Sequence, residues 1–136
     1  MTPEALAALH AACFITPRPW SAAEFSDLLT SRGVFLETST HGALLGRVIA
    51  DEAELLTVAV HPDARNQGEG RALLTAFLDR ASALGAETAF LEVAADNTAA
   101  ISLYRCSGFS ESGRRTGYYR APDGQTLDAI VMTRII

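Results

Sequence analysis

Hydrophobic positions change period several times along the chain, and each change predicts an element. Over residues 4–14 the apolar residues Ala5, Leu6, Leu9, Ala12 and Cys13 recur at helical spacing. A second helix starts at Ser21, where Ser-Ala-Ala-Glu forms a capping box, and Pro17 and Pro19 separate the two. Val34–Thr38 and residues 44–50 read as strands joined through Ser39-Thr40-His41-Gly42. A second hairpin, turning at Asp51-Glu52, leads into an apolar strand over residues 55–60, which His61-Pro62-Asp63 stops because proline cannot donate to a ladder. Leu73, Leu74, Phe77, Leu78, Ala81 and Leu84 then line one face of a long helix, with Gly85 where it ends. Residues 89–93 are a strand, Asn97 caps a helix ending near Ser107-Gly108, and residues 109–115 and 128–134 close the chain as a hairpin turning at Pro122-Asp123-Gly124. The sum is an α/β chain with a mixed, mostly antiparallel sheet flanked by helices.

Composition narrows the class. With 136 residues, 49% hydrophobic and 20% charged, the chain is expected to form one globular domain over residues 1–136. No apolar run is long enough to span a bilayer, and Met1-Thr2-Pro3-Glu4 carries no basic region ahead of an apolar stretch. A cytoplasmic protein with no membrane partner is expected. Cys13 and Cys106 lack C-x-x-C spacing and read as reduced thiols. The net charge of −5 argues against nonspecific nucleic-acid binding and is compatible with a cationic amine substrate. His10 reads as a surface or interhelix residue and His41 as a turn residue; the three histidines show no metal spacing, so no metal site is expected. The oligomeric state stays open.

Candidate chemistry gathers in two stretches. Arg65-Asn66-Gln67-Gly68-Glu69-Gly70-Arg71 puts two glycines where a helix begins, letting backbone N–H groups meet a ligand. A plain turn would use the same glycines. The loop has no Gly-Lys-Ser/Thr and no G-x-G-x-x-G with a later acid, which excludes a Walker loop and a dinucleotide fingerprint and leaves R-x-x-G-x-G. Glu92 interrupts an apolar strand on the face of Phe90, opposite Leu91 and Val93. It is either an ordinary exposed strand residue or a partly desolvated base. Tyr104, among Ile101 and Leu103, packs with its hydroxyl wet or acts in a site.

The R-x-x-G-x-G pattern between an apolar strand and a helix resembles the acetyl-CoA pyrophosphate loop of the GNAT superfamily of N-acetyltransferases. Leu91-Glu92-Val93, then Asn97-Thr98-Ala99-Ala100-Ile101-Ser102-Leu103-Tyr104, then Gly108-Phe109 are similar to the second half of the same core, in detail to the RimI-type ribosomal-protein alanine N-acetyltransferases. The resemblance covers residues 53–132. It implies the GNAT fold, here without the usual first strand, because relatives begin with a strand before the first helix and this chain has no room for one. It also implies acetyl-CoA as cosubstrate. Backbone groups of Val58, Ala59 and Val60 would hold the acetyl and pantetheine end, and Arg65, Asn66, Gln67, Gly68, Glu69, Gly70 and Arg71 the pyrophosphate. Glu92 would be the general base, Tyr104 the general acid toward the CoA thiolate and a cofactor contact, and Asn97 a hydrogen-bond partner of the cofactor.

Trp20, in a Pro-Trp-Ser element, and the paired Tyr118 and Tyr119 would face the acceptor, with core or surface packing as their alternative role. Cys106 is excluded as an acyl carrier, since no histidine is near it in sequence and the superfamily transfers acetyl directly. The acceptor implied is the α-amine of a protein N-terminus, a ribosomal protein among the possibilities. A small-molecule amine or amino acid is the alternative, and a non-catalytic acyl-CoA-binding regulator is the alternative of another class.

Overall fold

Short polar residues set the first two helices. In a computed structural model that describes residues 1–136, α1 (Pro3–Cys13) starts at Thr2, whose hydroxyl accepts from the Ala5 N–H. The second, α2 (Ala22–Leu29), starts at a reciprocal Ser21–Glu24 capping box. Three strands follow, β1 (Val34–Thr38), β2 (Gly42–Ile49) and β3 (Glu52–Val60), then a short 3₁₀ turn at Pro62–Ala64, α3 (Glu69–Ala83), β4 (Thr88–Ala94), α4 (Thr98–Cys106), β5 (Ser110–Arg120) and β6 (Thr126–Ile135). The six strands form one sheet in the order β1-β2-β3-β4-β6-β5, antiparallel except where β3 meets β4. No strand precedes α1, and β1 is an edge. The closing hairpin is longer than its apolar pattern suggests, because both strands continue through polar residues to the Pro-Asp-Gly turn.

Two cores lie on opposite faces of the sheet. Leu73, Leu74, Phe77 and Ala81 of α3 pack with Ile101 and Tyr104 of α4 on Leu44, Leu55, Leu91 and Met132. Leu6 of α1 and Phe25 of α2 pack on Ala43 and Leu45, joined by Leu56. Leu55 and Leu56 thus serve different cores. Neighbours alternate in any strand, but a bulge follows: Leu45 pairs with Thr57 and Gly46 with Leu55, which leaves Leu56 without a partner. Beyond it the alternation of β3 is inverted, so Val58 and Val60 join the α3 side while Thr57 faces α1.

Thr57 meets His10, which of its two expected settings takes the interhelix one, against Phe25 of α2, and not the surface. His10 is 2% exposed, stacked on Phe14 at 4.3 Å and Trp20 at 5.0 Å. Its Nδ1 accepts the Trp20 N–H at 3.0 Å, so the neutral ring carries its proton on Nε2, 3.0 Å from Thr57 Oγ1. Burial pushes its pKa down to about 4, against a smaller opposing pull from Glu24. The position looked ambiguous in sequence because a histidine four residues after Leu6 fits either a surface or a core stripe.

The pH dependence follows. Unfolded, the ring takes a proton below its ordinary 6.5; folded, it does so only below about 4. Protonation therefore favours the unfolded chain as pH falls from about 6.5, and the loss of stability levels off below about 4, at no more than about 3 kcal/mol. Thermal melts should give a lower Tm at pH 5 than at pH 7, and His10→Gln should flatten most of that difference.

Candidate active site

The parallel ladder between β3 and β4 has only three pairs, Glu52 with Thr88, Ala53 with Ala89 and Glu54 with Phe90. Past them β3 runs to Val60 against β2 alone, and β4 runs to Ala94 against β6 alone. The two strands diverge into an open gap. The Leu56 bulge lies just past the last shared pair, where a bulge bends a strand and increases its twist. The outward backbone groups of β3 are left without a strand partner. One of them, the Val60 carbonyl, accepts from Cys13 Sγ–H and Arg65 Nε–H, both at 3.3 Å.

The loop after β3 forms a concavity of backbone donors. Asn66 and Gly68 are left-handed, with φ of 62° and 84°, and Gln67 between them is not. This alternation turns successive N–H groups the same way. No N–H from Asn66 to Arg71 donates to a protein acceptor, and α3 begins at Gly68 without a side-chain cap. These residues fit an anion such as the pyrophosphate of acetyl-CoA. The glycines differ in purpose. A Cβ on Gly68 would meet nothing within 4 Å, so its value is conformational; one on Gly70 would come 3.1 Å from Leu103 Cδ2, so Gly70 lets α3 pack against α4.

The Glu69 side chain has a separate part. Its carboxylate is turned out of the concavity and accepts from Ser39 Oγ at 2.6 Å and the His41 N–H at 2.8 Å, with His41 Nδ1 2.8 Å from its second oxygen. These donors hold its pKa down to about 2. Only its backbone N–H is available to a ligand. Arg65, Gln67 and Arg71 are exposed.

Across the gap, Glu92 of β4 is half-buried, and its Oε1 lies 3.1 Å from Nη2 of Arg115 on β5. Tyr119 is half-buried near it, its pKa pushed up to about 12 by burial first and then by Glu92 and Tyr118. Tyr118 is exposed and stands edge-on to Tyr119 at 5.1 Å. Tyr104 of α4 is 6% exposed against Phe109, and burial raises its pKa, so it stays protonated at any working pH. Asn97 caps α4, its Oδ1 accepting the Ala100 N–H at 3.2 Å. Trp20 is half-buried and packs on His10 and Phe25 beside the α1–α2 core.

The acetyltransferase (GNAT) family matches residues 5–109, more than half of the chain, and spans the diverging strands, the donor loop and α4. The chain belongs to the GNAT acetyltransferase family. It is 40% identical over 118 residues to the ribosomal protein bS18-alanine N-acetyltransferase of Escherichia coli, covering 84% of this chain and 79% of that protein. It is 35% identical over 137 residues to the N-alpha-acetyltransferase RimI of Mycobacterium tuberculosis, covering 94% and 83%. The crystal structure of the Escherichia coli ribosomal-protein-S18-alanine N-acetyltransferase superposes with a TM-score of 0.85 at 34% identity, over 98% of this chain and 86% of that one. Arabidopsis thaliana NAA60, crystallised with acetyl-CoA, shares the fold at a TM-score of 0.84 and 18% identity, over 98% and 93%. As a GNAT enzyme the chain is an acetyl-CoA-dependent N-acetyltransferase.

The GNAT cleft is open. A surface groove of about 1140 Å³ runs among Arg71, Leu78, Phe90, Ser107, Val131 and Arg134 and takes in only Arg71 of the expected site. Two residues that order the strands beside Glu92 gave no sign in the sequence. Three residues of β5, Thr116 to Tyr118, stand against the single Asp128 of β6. Asp128 holds that bulge: Oδ1 accepts the Gly117 N–H at 2.9 Å, Oδ2 accepts from Arg114 at 3.0 Å, and its carbonyl accepts the Ala95 N–H at 2.9 Å. Arg115 is the other, since nothing local places a β5 residue beside one on β4 with β6 between them. No helix is long and apolar enough to cross a membrane.

Gly68→Val forces a β-branched residue into a left-handed position, and relaxing it would break the donor concavity. Isothermal titration should show acetyl-CoA binding weakened by about tenfold or more, with the circular dichroism spectrum retained. Unchanged affinity in a folded variant would make the loop a turn and nothing more.

Proposed function

We propose that residues 1–136 form one cytoplasmic catalytic domain that acetylates the α-amine of a protein N-terminus, with a ribosomal protein as a candidate acceptor. The observation that carries this reading is the half-buried Glu92 carboxylate on the strand that leaves β3, in a chain 40% identical to a bS18-alanine N-acetyltransferase. An α-amine with a pKa near 8 costs about 1 kcal/mol to deprotonate at pH 7, whereas a lysine costs about 4 to 5. One carboxylate base suits the former.

The roles follow from placement. Acetyl-CoA supplies an activated acetyl thioester. The concavity from Asn66 to Arg71 holds its pyrophosphate through main-chain N–H groups, with Arg65 and Arg71 near enough in sequence to add charge. The outward backbone of Val58 and Val60, with Ala59 between them, holds the pantetheine and acetyl end, which requires Arg65 and Cys13 to release the Val60 carbonyl. Glu92 takes the proton from the acceptor amine. Tyr104, kept protonated by burial, gives a proton or hydrogen bond to the departing sulfur. Asn97 keeps its amide N–H₂ free of the helix cap for the cofactor. Tyr118 and Tyr119 wall the acceptor side.

A screen of N-terminal peptides against small amines and free amino acids, read as release of CoA thiol, tests the acceptor. Thiol release with small amines only would transfer the reading to that class, and binding without turnover would leave a regulator. Glu92→Gln should lower kcat by about two to four orders of magnitude while leaving acetyl-CoA affinity unchanged in titration calorimetry. A wild-type rate would put the base elsewhere. Tyr104→Phe should keep the fold and slow turnover most at low pH. Its defect should fade above about pH 8, where a thiol with a pKa near 8.5 leaves readily as thiolate. A defect independent of pH would assign Tyr104 to positioning.

A further inference from the structure

Register places four residues on one face of the sheet: Glu92 opposite Val131, and Arg115 opposite Ala129. The Arg115 side chain therefore reaches across β6, over the small Ala129, to bring Nη2 within 3.1 Å of Glu92 Oε1. Its neighbour Arg114 points the other way and is consumed structurally, by Asp128 at 3.0 Å and Glu111 at 3.8 Å. Arg115 is not consumed. Its guanidinium lies 5.2 Å from the centroid of the Tyr118 ring, on the bulge that Asp128 fixes, and its side chain is 56% exposed. A guanidinium has five N–H donors in a rigid fork, and beyond the Glu92 contact those of Arg115 meet no protein acceptor. A carboxylate and a guanidinium with free donors, side by side at the gap, complement a group that carries an amine and a carbonyl oxygen on adjacent carbons.

We propose that Arg115 is a specificity-determining residue that binds the carbonyl oxygen of the acceptor's first residue while Glu92 receives its α-amine. The proposal rests on Glu92 being the base in the function proposed above. An ion pair this exposed is cheap to rearrange, so the incoming amine can take its place at Glu92 as the guanidinium turns its free edge to the carbonyl. The Tyr118 ring keeps the guanidinium plane in place during that exchange. A lysine side chain has no oxygen beside its amine and gains nothing from Arg115. The pair thus selects α-amines by hydrogen bonding, independently of amine pKa.

The test compares an N-terminal peptide with its alkene isostere, in which the first peptide bond has no carbonyl oxygen, on the wild type, Arg115→Met and Arg115→Lys. For the wild type, kcat/KM should favour the peptide by about 10- to 100-fold, the range for a hydrogen bond to a charged group, and chiefly through KM. In Arg115→Met the preference should vanish while the KM for acetyl-CoA stays the same, and Arg115→Lys should restore part of it. A preference that survives in Arg115→Met, or an equal loss on both substrates, would overturn the proposal and leave Arg115 acting only on Glu92. A wild type that acetylates free amino acids but no peptide would overturn the protein acceptor alone, since Arg115 would then hold the carboxylate and Arg115→Met should remove the advantage of alanine over isopropylamine. A wild type active only on amines without a carbonyl would overturn both.

Discussion

A parallel ladder that stops after three pairs is the constraint on which the rest of the molecule depends. A sheet that kept β3 and β4 paired to their ends would satisfy all its backbone groups and leave no cleft. Here the bulge at Leu56 turns the outer half of β3 away, and its outward backbone becomes free to act as a strand partner for something other than protein. The same bulge inverts the side-chain alternation, which sends Val58 and Val60 into the α3 core and leaves Thr57 for His10. One extra residue thus opens the site and anchors the helix that flanks it.

An opened sheet needs its rim fixed by other means, and three polar ties do this. His10 fastens α1 to β3 through Thr57 and the α1–α2 connection through the Trp20 N–H. Glu69 fastens the first turn of α3 to the β1–β2 turn through Ser39 and His41. Asp128 fastens the β5 bulge and the exit of β4 to β6. Each tie is a buried or multiply bonded group whose partners lie far away in sequence, so each holds a different wall of the gap. The Glu69 tie has an electrostatic consequence too: it turns a negative charge away from donors that suit an anion.

Net charge is a poor guide to this site. The chain carries −5 overall, yet Arg65, Arg71 and Arg115 border the gap or its loop. The acid that would bind a cationic amine, Glu92, is itself next to a guanidinium. Local pairing within a few ångströms outweighs a diffuse excess that salt screens over about 10 Å.

The sequence by itself determined the elements and their order. Periodicity, capping boxes and turn residues are local, and a strand, a glycine turn and an apolar-faced helix from Leu55 to Leu84 have few other ways to fold. Glu92 and Tyr104 stood out as polar residues that break an apolar pattern, and the R-x-x-G-x-G loop because its glycines stand between strand and helix, but the pattern alone left packing or exposure open for each and only the family resemblance gave them roles. What the sequence could not supply is what lies beside what. The side of the sheet that Thr57 faces depends on a bulge that changes a period of two by a single residue within a continuous apolar run. The company of His10, the direction of the Glu69 carboxylate and the reach of Arg115 to Glu92 depend on strand order and register. Those are set by the packing of whole elements, and no pattern within one element encodes them.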